Sequence, residues 1–206
     1  MSIIGAKRKR RIHMKPLITA VITALLAAFF LVALPASGEE AVYENTLRLH
    51  VLAASDTTAD QEIKLLVRDA VLEEHGQEFL CFQSKGEAEA YLQTNLASVE
   101  KTVQNVLSEN GVDSSFCVAL SEEYFDTRTY GDITLPAGKY TALKITLGEG
   151  KGQNFWCMLY PALCVTPSLG EQTTAKAAYS DATYTLVTNG YAVRFRTLEL
   201  LSAFLE

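Results

Sequence analysis

Apolar positions recur along this chain in three rhythms, and each predicts a different kind of element. Leu17–Leu34 is an unbroken run of 18 residues without a charge. From Leu47 the rhythm becomes alternation: Leu47, Leu49, Val51 and Ala53 face one way, and Arg48, His50 and Leu52 the other, as in a strand. Ile63, Leu66, Val67, Ala70 and Val71 are then spaced three and four apart, which predicts a helix from Ala59 to about Glu74 with one buried stripe. Thr58 with Gln61 reads as its capping box. Ser84-Lys85-Gly86-Glu87 is a second box and opens a long helix to about Asn110. Its stripe is Ala88, Leu92, Leu96, Val99, Val103 and Val106, and Gly111 stops it. Two helices with these stripes are expected to pack as a pair.

Beyond Asp113 the alternation returns. Phe116, Val118 and Leu120 alternate against Cys117 and Ala119, and Tyr124–Tyr130 continues as a strand or bend. Pro136 and Gly138 mark a turn, after which Lys139–Leu147 places Leu143, Ile145 and Leu147 opposite Ala142, Lys144 and Thr146. Gly148, Gly150 and Gly152 form a polar hinge before Asn154–Tyr160, and the two runs read as a β-hairpin. Its second strand sets Trp156 and Tyr160 on one face and Phe155, Cys157 and Leu159 on the other. Residues 166–181 are small, polar and unpatterned, and read as a mobile loop. A strand at 192–196 and a short helix at 198–205 end the chain. The order predicts an α+β domain: one mixed or antiparallel sheet, covered mainly on one face by the two paired helices.

Charge separates the first 38 residues from the rest. Lys7, Arg8, Lys9, Arg10, Arg11 and Lys15 precede the apolar run, and Pro35-Ala36-Ser37-Gly38 follows it in the manner of a signal peptidase site. Residues 1–38 therefore read as a signal peptide or an uncleaved N-terminal membrane anchor, and the body, 39–206, as exported. That body holds all 24 acidic residues against 12 of the 18 Lys and Arg, a formal charge of −12. Such a charge excludes the basic footprint of a nucleic-acid binder and disfavours adhesion to anionic lipid. Membrane contact is expected only through residues 17–34.

Cys81, Cys117, Cys157 and Cys164 all lie in the exported body, where disulfides persist. Four cysteines allow three pairings, and sequence proximity favours 157 with 164 and, more weakly, 81 with 117. The chain has no C-x-x-C pair to suggest zinc, so neither metal nor cofactor is expected. Catalytic sets are equally thin. The exported body has only His50 and His75, and the chain carries no G-x-S-x-G or H-E-x-x-H. Gly148-Glu149-Gly150-Lys151-Gly152 is followed by a strand, so it reads as a turn and not as a phosphate loop. No enzyme is expected.

Two patches suit binding. Asp56, Asp60, Lys64, Arg68 and Asp69 surround a helix cap and run along one helix face, where the plainer reading is a solvated charged surface. Trp156, Tyr160 and Pro161 sit beside the Cys157–Cys164 stretch and offer aromatic anchors, unless Trp156 belongs to the core.

The segment Tyr130–Val165, with YG, LPAGKY, LGEGKGQNFWC and YPALC, resembles the stage II sporulation protein R family of endospore-forming bacteria. Leu47–Asp69, LRLHVLAASDTTADQEIKLLVRD, resembles that family's other hallmark block. The chain departs from it at Ala54, at Asn154-Phe155-Trp156 and at Pro161-Ala162. The resemblance implies a signalling protein exported from the forespore into the space between the two septal membranes. There it would activate a membrane-embedded aspartic protease of the mother cell, which processes the sigma-E precursor. It also supports the 157–164 pairing alone, and it makes the two patches candidates for receptor contact. The competing classes are a secreted hydrolase of septal cell wall and a structural wall or coat component.

Overall fold

The computed structural model describes residues 14–33, 38–163 and 171–190. Residues 1–36 and 37–206 form two units, each taken separately. In the first, helix α1 runs Met14–Ala33, and its described side chains from 18 to 26 are exposed. Among the described residues no helix is long and apolar enough to cross a membrane. Leu34 and residues 35–37 of the cleavage motif lie outside them.

The second unit begins with α2 (Glu39–Glu44) and β1 (Leu47–Leu52), then α3 (Thr58–His75), a 3-10 turn (Gly76–Leu80) and α4 (Lys85–Glu109). Strands β2 (Phe116–Phe125), β3 (Arg128–Tyr130), β4 (Ile133–Leu135), β5 (Gly138–Leu147) and β6 (Asn154–Tyr160) follow. The described chain closes with α5 (Glu171–Ala178), α6 (Asp181–Thr185) and a π-helical turn, Leu186–Gly190. This is the expected α+β class, with a mixed sheet in the order β2-β5-β1-β6 and a separate β3–β4 hairpin.

Three expectations change with the topology. Strands β5 and β6 are not a hairpin, because β1 lies between them, parallel to β5 and antiparallel to β6. The connection 148–153 instead arches over the end of β1. It spans two strand spacings, about 10 Å, which six residues cover easily. The sheet is also covered on both faces. Leu47, Leu49, Val51, Leu143 and Ile145 pack with α3 and α4, while Phe125, Tyr140, Ala142 and Met158 pack with α2, β4, α5 and Val187. Finally, the register of β6 shifts between Leu47 and Arg48, so Tyr160 joins Cys157 and Leu159 in the helix-side core instead of siding with Trp156.

The helices begin where side chains cap them. The side chain of Thr57, not Thr58, accepts the Asp60 N–H, because Thr58 already lies in the first turn. Ser84 accepts from the Glu87 N–H, as the second box requires, whereas the Glu87 carboxylate reaches one residue past the cap and accepts from the Gln83 N–H at 2.8 Å. The α4 stripe is buried as predicted, apart from a half-buried Leu96, but that of α3 is turned toward Lys64, leaving Leu66 44% exposed. Part of the expected mobile loop is helical: α5 buries Ala175 and leads into buried Tyr179. The strand and helix expected at 192–205 lie outside the described residues.

Cys81 and Cys117 are free, exposed thiols, so the weaker disulfide does not form. Cys81 follows the 3-10 turn that packs near β6, whereas Cys117 lies on β2 at the opposite edge. Three strand spacings, about 14 Å, are far beyond the reach of a disulfide. Cys157 is disulfide-bonded; its expected partner, Cys164, lies outside the described residues.

Candidate functional site

The first charged patch is mostly a clamp. Asp56 accepts the backbone N–H of Gln153 at 2.7 Å, and Lys64 donates to the Gln153 carbonyl at 3.1 Å and to Gln61 at 2.6 Å. Gly152 and Lys151 donate their backbone N–H groups to the carbonyls of Ala53 and Ala54. Asp60 accepts from Ser55 Oγ at the α3 cap. The glycine connection is thereby tied to the end of β1 and the start of α3. Lys64 itself is 6% exposed, with its stem along the protein and its ammonium on backbone oxygen. Burial lowers its pKa, helped by Arg68 and opposed by Asp56.

Arg68 and Asp69 belong to the surface. The Arg68 guanidinium lies 4.7 Å from the Phe155 ring centre and grips Asp69 through two hydrogen bonds of 2.7 and 2.9 Å. Their side chains are 24% and 59% exposed. Tyr160 and Pro161, expected as protruding anchors, are buried. They line a cavity of about 250 Å³ with Phe79, Phe82 and Ala178.

The opposite face of the sheet holds a site that strand alternation alone assigned to the polar side of β1. Arg48 is fully buried. Its guanidinium lies over the rings of Phe125, Tyr140 and Tyr130 at 4.1, 5.1 and 5.6 Å. It donates to the Tyr130 hydroxyl and, at 3.4 Å, to the Cys157 carbonyl, while Nη1 has no hydrogen-bond partner. Burial pulls its pKa down and the tyrosines Tyr130 and Tyr140 oppose it, but an arginine stays protonated. The available signal was the set of aromatics on the strands that follow, which together supply ring faces for one cation.

His50 lies two residues further along the same face. Its ring stacks on Trp156 at 4.1 Å with 13° between the planes, and Nε2 donates to the side-chain oxygen Oδ1 of Asn154 at 3.2 Å. Trp156 is therefore half-buried packing, with Phe125 against its edge at 4.7 Å and Arg128 over it at 5.7 Å. Glu123 approaches His50 Nδ1 only to 3.9 Å, too far for a hydrogen bond. Burial pushes Glu123 up, but hydrogen bonds from Lys144 and Ser121 outweigh this and hold it below its ordinary value.

At His50, by contrast, burial prevails over Asn154 and Glu123, so its pKa falls below the ordinary value. The unfolded chain then binds a proton at His50 that the folded chain resists, and stability falls as pH drops below about 6.5. His50→Phe keeps a stacked ring without the titration. The variant is expected to flatten the decline of the thermal midpoint between about pH 6.5 and pH 5. Melting curves across that range check this, and an unchanged slope would place the titration elsewhere.

His50 has no nucleophile among the contacts just described. Among the described residues no three metal-binding groups gather. These features define an α+β domain whose polar groups clamp one connection and fill one box between layers, leaving the outer side of α3 in solvent.

Residues 43–169 match the family model described as Stage II sporulation protein R, and the chain belongs to that family. The matched residues include both segments that meet at the clamp. Stage II sporulation protein R of Bacillus subtilis (strain 168) is 36% identical over 121 residues, covering 59% of this chain and 54% of that protein. The chain thus spans about half the length of the curated relative it matches. No solved structure matches it.

Proposed function

We propose that this chain is a sporulation signal exported from the forespore. In the space between the septal membranes it activates a membrane-embedded aspartic protease of the mother cell, which then processes the sigma-E precursor. The family match over residues 43–169 is the observation that carries this reading. A clamped, doubly covered domain suits a ligand that acts by binding, because its surface is ordered before contact. Such a ligand shifts its receptor only by preferring one receptor state over the other. The protein itself breaks no bond in this reading. It uses no metal or cofactor, binds no nucleic acid and touches membrane only through residues 17–34. In the exported compartment the Cys157 bridge closes on Cys164.

Reconstitution in a non-sporulating host tests the reading. The full chain would be produced with the protease and the sigma precursor, and cleavage followed on gels. Cleavage is expected only when this protein is present and exported. With all three proteins correctly placed, precursor that stays intact would overturn the signalling role and send the search to septal wall hydrolysis.

A further inference from the structure

Among the described residues of the 37–206 body, the large apolar side chains that stand exposed are Leu65, Leu66 and Tyr124, at 38%, 44% and 62%. Two of them are adjacent on α3. Glu62, Leu65, Leu66, Asp69 and Glu73 are all exposed. Their spacing of i, i+3, i+4, i+7 and i+11 places them on one side of the helix. A helix ordinarily shows one apolar stripe, toward its core. This one has a second, centred on two leucines and flanked by three acids. Arg68, stacked on Phe155 and bonded twice to Asp69, fixes the edge of that surface.

The charges decide what the surface can meet. An anionic membrane is disfavoured by Glu62, Asp69 and Glu73 around the leucines. A second copy laid symmetrically on this face would oppose acid to acid. The complementary partner is an apolar groove edged by Lys or Arg, entered by a helix presenting i, i+3, i+4 and i+7 positions. We propose that the outer face of α3 is the docking surface, and that it seats in a basic-rimmed apolar groove on the extracytoplasmic side of the receptor. This rests on the signalling reading above and adds where the contact is made.

The same reconstitution separates the two claims. Leu65→Glu with Leu66→Glu, in the full chain, is expected to slow precursor cleavage roughly tenfold or more, as loss of a central anchor pair does. Export level and thermal midpoint should hold, since both side chains already face water. Glu62→Lys with Glu73→Lys should also slow cleavage. Tyr124→Glu, at a still more exposed apolar position on β2, should leave the rate within about twofold. Cleavage driven by the unaltered chain but unaffected by the leucine pair would overturn the docking surface while leaving the signalling role intact. No cleavage with the unaltered chain would overturn both. Sedimentation of the purified chain gives the remaining outcome: a dimer dissolved by the leucine substitutions would assign the face to a second copy and overturn the proposal.

Discussion

Gly152→Ala should destabilise the fold on the order of 3 kcal/mol, the upper end of ordinary overpacking, and lower the thermal midpoint by roughly 6–12 °C. A Cβ at this position would meet the Ser55 carbonyl oxygen at 2.2 Å and its carbon at 2.5 Å. Both are backbone atoms, so no side chain can swing aside. The Ser55 segment cannot retreat, because Ser55 bonds Asp60 and Gln61 at the α3 cap, and Asp56 holds the Gln153 N–H. Moving the glycine connection outward instead breaks its hydrogen bonds to Ala53 and Ala54. Gly86→Ala is the matched control. Its Cβ would meet only Ser84 Oγ at 3.9 Å, in the first turn of α4. There the better helix former should be neutral or stabilising by about 0.5 kcal/mol. Equal midpoints for the two variants would show that the connection is not clamped as described.

Phe125→Ala should cost about 3–5 kcal/mol, the range for removing a large aromatic from a core. Phe125 is fully buried and stands between Arg48 at 4.1 Å and Trp156 at 4.7 Å, with Tyr140 and His50 within 6 Å. Its removal would leave the Arg48 guanidinium facing a void while Nη1 already lacks a partner. Arg48→Met should be far milder. Apolar replacement of buried ion pairs is often neutral or stabilising, and Arg48→Met likewise removes a desolvated charge and the unsatisfied Nη1 while keeping an apolar stem against the rings. Neighbouring positions couple, so the double variant should cost less than the two single changes added together. Chemical denaturation of the three variants measures this. An Arg48→Met loss as large as that of Phe125→Ala would show that the cation, and not the rings, holds the box together.

The clamp and the box differ in how far the sequence discloses them. Asp56, Asp60 and Lys64 stood out by their density near a cap, but the plain reading put them in solvent. Asp56 and Lys64 find their partner in the backbone of Gln153, some ninety residues away, and no local pattern announces such a bond; Asp60 stays on nearby Ser55. Arg48 stood out even less. Strand alternation assigns it to the polar side of β1, and that side becomes interior only once the β3–β4 hairpin, α2, α5 and α6 cover it. Leu66 erred in the opposite direction: its spacing fits a buried stripe, but the helix is turned so that Lys64 can reach the connection.

Local patterning by itself determined the element types, because side-chain period, capping chemistry and glycine placement act within a few residues. It yielded β1, the α3–α4 pair and the faces of β5, while the family followed from the resemblance of two segments, 47–69 and 130–165. Only the tertiary structure decided that β1 divides β5 from β6, that both sheet faces are covered and that Cys81 and Cys117 stay apart. Those outcomes depend on which strand edges pair and which layers dock. The groups involved are distant in sequence, and their energies exist only after the chain has closed.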